Sequence, residues 1–95
     1  MGKKEAYQQK MNAQLNEWSA EIDKLKAKAD RAEADAKVEY YKEIEELRAM
    51  RESAANKLAE LREAGDNAWK DLKEGIDSAW DSLRNALESA SSRFK

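Results

Sequence analysis

Between Met11 and Ala36 the chain reads MNAQLNEWSAEIDKLKAKADRAEADA, and its apolar residues fall into a heptad, with Leu15, Ile22, Ala29 and Ala36 at a and Met11, Trp18, Leu25 and Ala32 at d. All eight seam positions are apolar, the pattern of a helix that lays one narrow stripe against a partner helix. Lys26 and Glu33 stand at e, Glu21 and Lys28 at g. A parallel in-register pair would set Glu21 against Lys26 and Lys28 against Glu33, whereas an antiparallel pair centred there would also allow Glu21 opposite Lys28. The alanines at 29, 32 and 36 thin the seam, letting helices approach closely while burying less area than Leu or Ile.

Beyond Ala36 the spacing Ala36, Tyr40, Ile44, Leu47 inserts an extra step of four, and the pattern becomes an 11-residue repeat. One column reads Leu47, Leu58, Trp69, Trp80; a second Met50, Leu61, Leu72, Leu83, Phe94; a third Ala54, Gly65, Ile76, Leu87. Such a repeat nearly matches the natural helix period, so its stripe runs almost straight and should pack differently from the heptad arm.

Glu63-Ala64-Gly65-Asp66-Asn67 places a glycine C-terminal cap directly before two good N-cap residues, the signal of a helix-turn-helix. The third column passes through Gly65 in phase, as a continuous helix would. The turn is nonetheless preferred, because glycine costs about 1 kcal/mol inside a helix and Asp and Asn also rank poorly there. Gly75 lacks neighbouring cap residues and reads as a soft spot within the second helix.

The expected fold is therefore all-α and one domain, 1–95. A long helix covers about 4–64 with its heptad arm at 11–36, a turn 65–67, and a second helix about 68–93 folds back as an antiparallel hairpin. The hairpin core would be Ile44, Leu47, Met50, Leu58, Leu61, Trp69, Leu72, Ile76, Trp80, Leu83, Leu87 and Phe94. Trp69 would lie near Leu61, Trp80 near Met50, Leu87 near Ile44 and Phe94 near Tyr40 or Lys37. The arm then has no partner in its own chain. Met11, Leu15, Trp18, Ile22, Leu25, Ala29, Ala32 and Ala36 would be covered by another copy, most simply as a homodimer.

Composition narrows the chemistry. The 95 residues contain neither cysteine nor histidine, which removes disulfides, thiolate and imidazole chemistry and nearly every zinc, copper or haem site. Charged residues make up 40% of the chain at a net charge of -2 and proline is absent, a long-helix or coiled-coil composition. Disorder competes with this reading, but disordered chains usually combine high net charge with proline. No stretch has the ~18 apolar residues of a membrane span, and the N-terminus lacks a signal-peptide core, so the chain is expected to be soluble and cytoplasmic. Gly2 invites myristoylation, but Ala6 stands where that motif requires Ser or Thr.

The remaining constellations read as surface. Glu39, Glu43, Glu45 and Glu46 resemble the carboxylates of a di-iron bundle, which also needs Glu-x-x-His motifs, so they are expected to be a solvated face paired with Lys42 and Arg48. Lys24, Lys28 and Arg31 form a basic stripe without the positive domain charge or stacking aromatics of a nucleic-acid site. Ser89, Ser91 and Ser92 have no base to activate them, and Gly65 and Gly75 stand apart from any phosphate-cradling loop. No catalytic, cofactor, metal or small-molecule site is expected.

Four stretches carry a resemblance: Lys3-Lys4-Glu5-Ala6-Tyr7, Glu21-Ile22-Asp23-Lys24-Leu25-Lys26-Ala27-Lys28-Ala29-Asp30, Glu39-Tyr40-Tyr41-Lys42-Glu43-Ile44-Glu45-Glu46-Leu47 and Ala68-Trp69-Lys70-Asp71-Leu72-Lys73-Glu74-Gly75. Together the chain resembles small coiled-coil proteins of cyanobacteria and proteobacteria labelled stress-responsive. The resemblance implies a small cytoplasmic helical protein raised under stress, and it carries over no activity, ligand or catalytic residue.

The leading functional expectation is a non-enzymatic interaction or scaffold protein that associates with itself through amphipathic helices. The alternative is a peripheral lipid-binding protein, since 11-residue repeats with Trp, Leu and Phe on one face resemble those of exchangeable apolipoproteins. Against it, residues 65–95 carry five Lys or Arg and six Asp or Glu, giving anionic lipid little to attract. A third reading is a stress protectant that folds on drying or binding.

Overall fold

A computed structural model describes residues 2–65 and 67–94. These form three α-helices, α1 Lys3–Asp30, α2 Ala34–Glu63 and α3 Trp69–Arg93. The expected helix over 4–64 is thus two helices, broken at Arg31-Ala32-Glu33, and the expected two-helix hairpin is replaced by a three-helix bundle of about 50 × 19 × 18 Å.

The break is not written in local propensity, for Arg31, Ala32 and Glu33 are all acceptable helix residues. Its cause lies in the seam of α1. A continuous helix would leave Met11, Leu15, Trp18, Ile22 and Leu25 in water, whereas the bend buries all of them and Ala29 inside the same chain. Covering a large apolar side chain stabilises by roughly 1.5–3 kcal/mol, so five of them outweigh the few hydrogen bonds lost where the helix stops. The last turn tightens as Arg31 N–H donates to the Lys28 carbonyl at 3.2 Å and Ala32 N–H to the Ala29 carbonyl at 3.1 Å. Glu33 is extended at φ -65° and ψ 155°, and its carbonyl accepts from Lys37 N–H at 2.8 Å to start α2.

The second junction falls where the sequence places it. α2 ends at Glu63, and the Gly65 carbonyl accepts the N–H groups of Ala68 at 3.1 Å and Trp69 at 3.2 Å. No described glycine has a positive φ, so Gly65 is not the left-handed cap that was expected. Asp66, one of the two expected N-cap residues, lies outside the described residues.

Contacts between helix ends give the course of the chain. Lys4 Nζ donates to the Ala64 carbonyl at 2.7 Å, joining the start of α1 to the end of α2. Tyr41, in the first turns of α2, donates its hydroxyl to Asp30 at the end of α1. Tyr40 stacks on Phe94 with centroids 4.1 Å apart, and its hydroxyl donates to the Arg93 carbonyl at 3.2 Å, joining the start of α2 to the end of α3. The helices therefore run up, down and up, with α1 packed most extensively on α2 and least on α3.

The buried residues of α1, at 11, 15, 18, 22, 25 and 29, step by 4, 3, 4, 3 and 4. Those of α3, at 76, 80, 83, 87 and 90, together with its C-cap Phe94, take the same steps. The packing difference expected between a heptad arm and an 11-residue segment is thus absent between α1 and α3, whereas the buried residues of α2, at 44, 47, 54, 58 and 61, step by 3, 7, 4 and 3. A column through Gly65 in phase did not require a continuous helix either, because Ala54 lies in α2 and Ile76 in α3 on either side of the turn.

Candidate interaction surface

The heptad seam and the expected hairpin core form one cluster. Of the residues expected to meet a second copy, Met11, Leu15, Trp18, Ile22, Leu25 and Ala29 belong to the intrachain core, while Ala32 and Ala36, at the turn, are half-buried. The premise that the arm has no partner in its own chain is corrected by the bend at 31–33, which supplies α2 and α3 as that partner. Ile44, Leu47, Leu58, Leu61, Ile76, Trp80, Leu83, Leu87 and Phe94 are buried, and Met50, Trp69 and Leu72 pack against them at the margin. Phe94 meets Tyr40 as expected, and Trp80 also faces Trp18 of α1 with centroids 6.1 Å apart.

Among the described residues every buried side chain is apolar. The one buried side-chain polar atom among the described residues that lacks a hydrogen-bond partner is Nε1 of Trp80. An orphaned buried donor costs about 1–3 kcal/mol, so Trp80 holds its place through the burial of its ring.

Polar contacts gather at the helix ends. Where α1 and α3 begin, Tyr7 donates its hydroxyl to Asp77 Oδ1 at 2.5 Å, its ring lies 6.2 Å from that of Trp69, and Lys73 Nζ sits 5.5 Å from the Tyr7 centroid. Lys73 also pairs with Asp77 at 3.6 Å. Burial, followed by the bond to Asp77, pushes the Tyr7 phenol well above its ordinary value. At the α1–α2 turn the Tyr41 hydroxyl holds the Asp30 carboxyl below its ordinary range, with Lys26 at 3.9 Å adding to the effect, and the same bond raises the Tyr41 phenol. Sequence reading passed over these contacts because a tyrosine beside an apolar stripe does not disclose which end of the fold its hydroxyl will reach.

The acidic face of α2 gains a partner from another helix. Glu43 pairs with Arg93 of α3, in place of the partners expected on α2 itself, and Glu39, Lys42 and Glu46 line the same shallow depression. Among the described residues no group of acidic side chains is arranged to hold a metal ion. Lys24, Lys28 and Arg31 are exposed. Among the described residues, large exposed apolar side chains are confined to the start of α2, where Val38 is 71% and Tyr41 36% exposed. No described helix is long and apolar enough to cross a membrane.

The surface thus offers charged helix faces around a closed apolar core. One of the bundle's two turns, at 31–33, contains no glycine. Comparison with protein families, curated proteins and solved structures gives no match.

Proposed function

We propose that this chain is a non-enzymatic helical interaction protein that acts by packing amphipathic helices against other copies of itself. The observation that carries the reading is the unbroken apolar seam of α1, which continues across an uncapped turn into the stripe of α2. Narrow stripes of this kind, flanked by charges of both signs, form cores within a chain and interfaces between chains by the same contacts. The stress-related setting is taken over from the resemblance of the four stretches and belongs to the proposal.

The lipid-surface alternative would require the bundle to open, since Trp18 and Trp80 cover each other in the core. Sedimentation equilibrium of the full chain over a wide concentration range tests the proposal. Association predicts a weight-average mass that climbs above that of one chain as concentration rises. One-chain mass throughout contradicts it.

A further inference from the structure

The two junctions of the bundle differ in what bends them. At residues 64–68 the chain supplies Gly65 and Asn67, and the Gly65 carbonyl accepts two N–H groups from the start of α3. At residues 29–36 it reads Ala29-Asp30-Arg31-Ala32-Glu33-Ala34-Asp35-Ala36, with four alanines, the strongest helix formers, and neither glycine nor proline. Neither junction has a side-chain capping bond or a positive φ among its described residues, so residue composition is what separates them. Tertiary packing bends the junction at 29–36 against its local preference. The side-chain bonds close by, Tyr41 to Asp30 and Lys26 to Asp30, are exposed.

The stripes are also in phase across the bend. Ala29, Ala32, Ala36, Tyr40, Ile44 and Leu47 follow one another at steps of 3, 4, 4, 4 and 3. The interval from Ala29 to Leu47 is 18 residues, five turns of an α-helix, so straightening residues 31–33 would put both stripes on one face of a single rod. A straightened chain uncovers the α1 seam together with the surface of α2 and α3 that α1 had covered. The surface that matches both is the same pair on a second copy.

We infer that two copies exchange α1 through the turn at Arg31-Ala32-Glu33, forming a dimer in which each straightened α1–α2 helix lays its α1 against α2 and α3 of the other copy. This deepens the self-association reading and rests on it. The two long helices pass in opposite directions about a twofold axis near Ala32, where Ala29, Ala32 and Ala36 leave room for close approach. Contacts that join α1 to the rest of the bundle, Lys4 to Ala64, Tyr7 to Asp77 and Trp18 to Trp80, pass from within one chain to between chains. Tyr40 on Phe94 stays within each chain. Because the exchange remakes existing contacts, the dimer gains the helical hinge and loses mainly the entropy of association, so protein concentration sets the balance.

The chain has no cysteine, so Asn12→Cys and Ser53→Cys, both at exposed positions, give two unique spin-label sites. Doubly labelled full chain is mixed with an excess of unlabelled chain by unfolding and refolding together. Monomer and dimer are then separated by size and the intrachain label distance is measured in each. In the closed chain the sites lie on helices packed side by side in a bundle 19 Å wide. In the exchanged dimer they lie on one straight helix about 60 Å apart. A long distance confined to the dimer is the expected result. A dimer that keeps the short distance overturns helix exchange while self-association stands, and one-chain mass at every concentration overturns both. Ala32→Gly supplies a second test, because a glycine in each of two straightened hinges should lower the dimerisation constant about thirtyfold. An unchanged constant overturns the exchange.

Discussion

The indole rings of Trp18 and Trp80 lie 6.1 Å apart, inclined by 49°, and tie α1 to α3. Trp80 is 1% exposed and Trp18 7%, so each ring covers the other at the centre of the bundle. Replacing either by alanine should cost about 3–5 kcal/mol in chemical unfolding. The double replacement should cost less than the sum of the two, by about 0.5–1.5 kcal/mol, since the rings touch. Strict additivity would show that they are not partners.

The glycines allow a sharper test of the junctions. A Cβ added at Gly65 or Gly75 meets nothing within 4 Å, and neither residue has a positive φ. Gly75 lies inside α3, so Gly75→Ala should stabilise by about 1 kcal/mol. Gly65→Ala should be neutral or stabilising by up to about 1 kcal/mol through reduced freedom of the unfolded chain. Destabilisation by Gly65→Ala in thermal unfolding would restore the left-handed cap that its sequence context suggests.

Tyr7 gives the fold an alkaline limit. Its phenol is raised in the folded chain by burial and by the bond to Asp77, so the folded state holds that proton more tightly than the unfolded state. The resulting stabilisation is complete below the ordinary tyrosine value near 10 and is lost as pH rises beyond it. Tyr7→Phe should therefore lower stability near neutral pH by about 0.5–1.5 kcal/mol and fall less steeply than the parent above pH about 10. Parallel curves for the two proteins through that range would contradict the assignment.

Asp30 works in the opposite direction. The Tyr41 hydroxyl holds its carboxyl below the ordinary value, so its contribution is present above pH about 4 and disappears as pH falls through the lowered folded value. Tyr41→Phe should flatten the acid limb of the stability curve. An acid limb of unchanged slope would show that the Tyr41–Asp30 bond is not maintained in solution.

The all-helical class was legible from composition, and the turn near Gly65 from its glycine and neighbouring cap residues. Every large residue expected in the hairpin core is buried or packed against the core, because apolar spacing marks an inward face whatever that face meets. The turn at Arg31-Ala32-Glu33 was not legible. Nothing in those residues opposes a helix, and the bend follows from covering Trp18 and its neighbours, a long-range gain that local propensity cannot express. The same omission made the α1 seam look uncovered and assigned to a second copy what the chain can cover itself. Ala54, although it stands in the third column, and Ala90 were not expected in the core, because a small side chain marks a buried face weakly.

Leu25 offers the most direct test that the α1 seam is core of the single chain. It is 3% exposed and belongs to the buried cluster to which all three helices contribute. Unfolding of Leu25→Ala and the parent is followed by circular dichroism at concentrations low enough that sedimentation shows one-chain mass. The predicted result is a loss of about 2–5 kcal/mol in the dilute monomer, independent of concentration. A dilute Leu25→Ala chain with unchanged helix content and unfolding midpoint would contradict the closed bundle and return the seam to solvent.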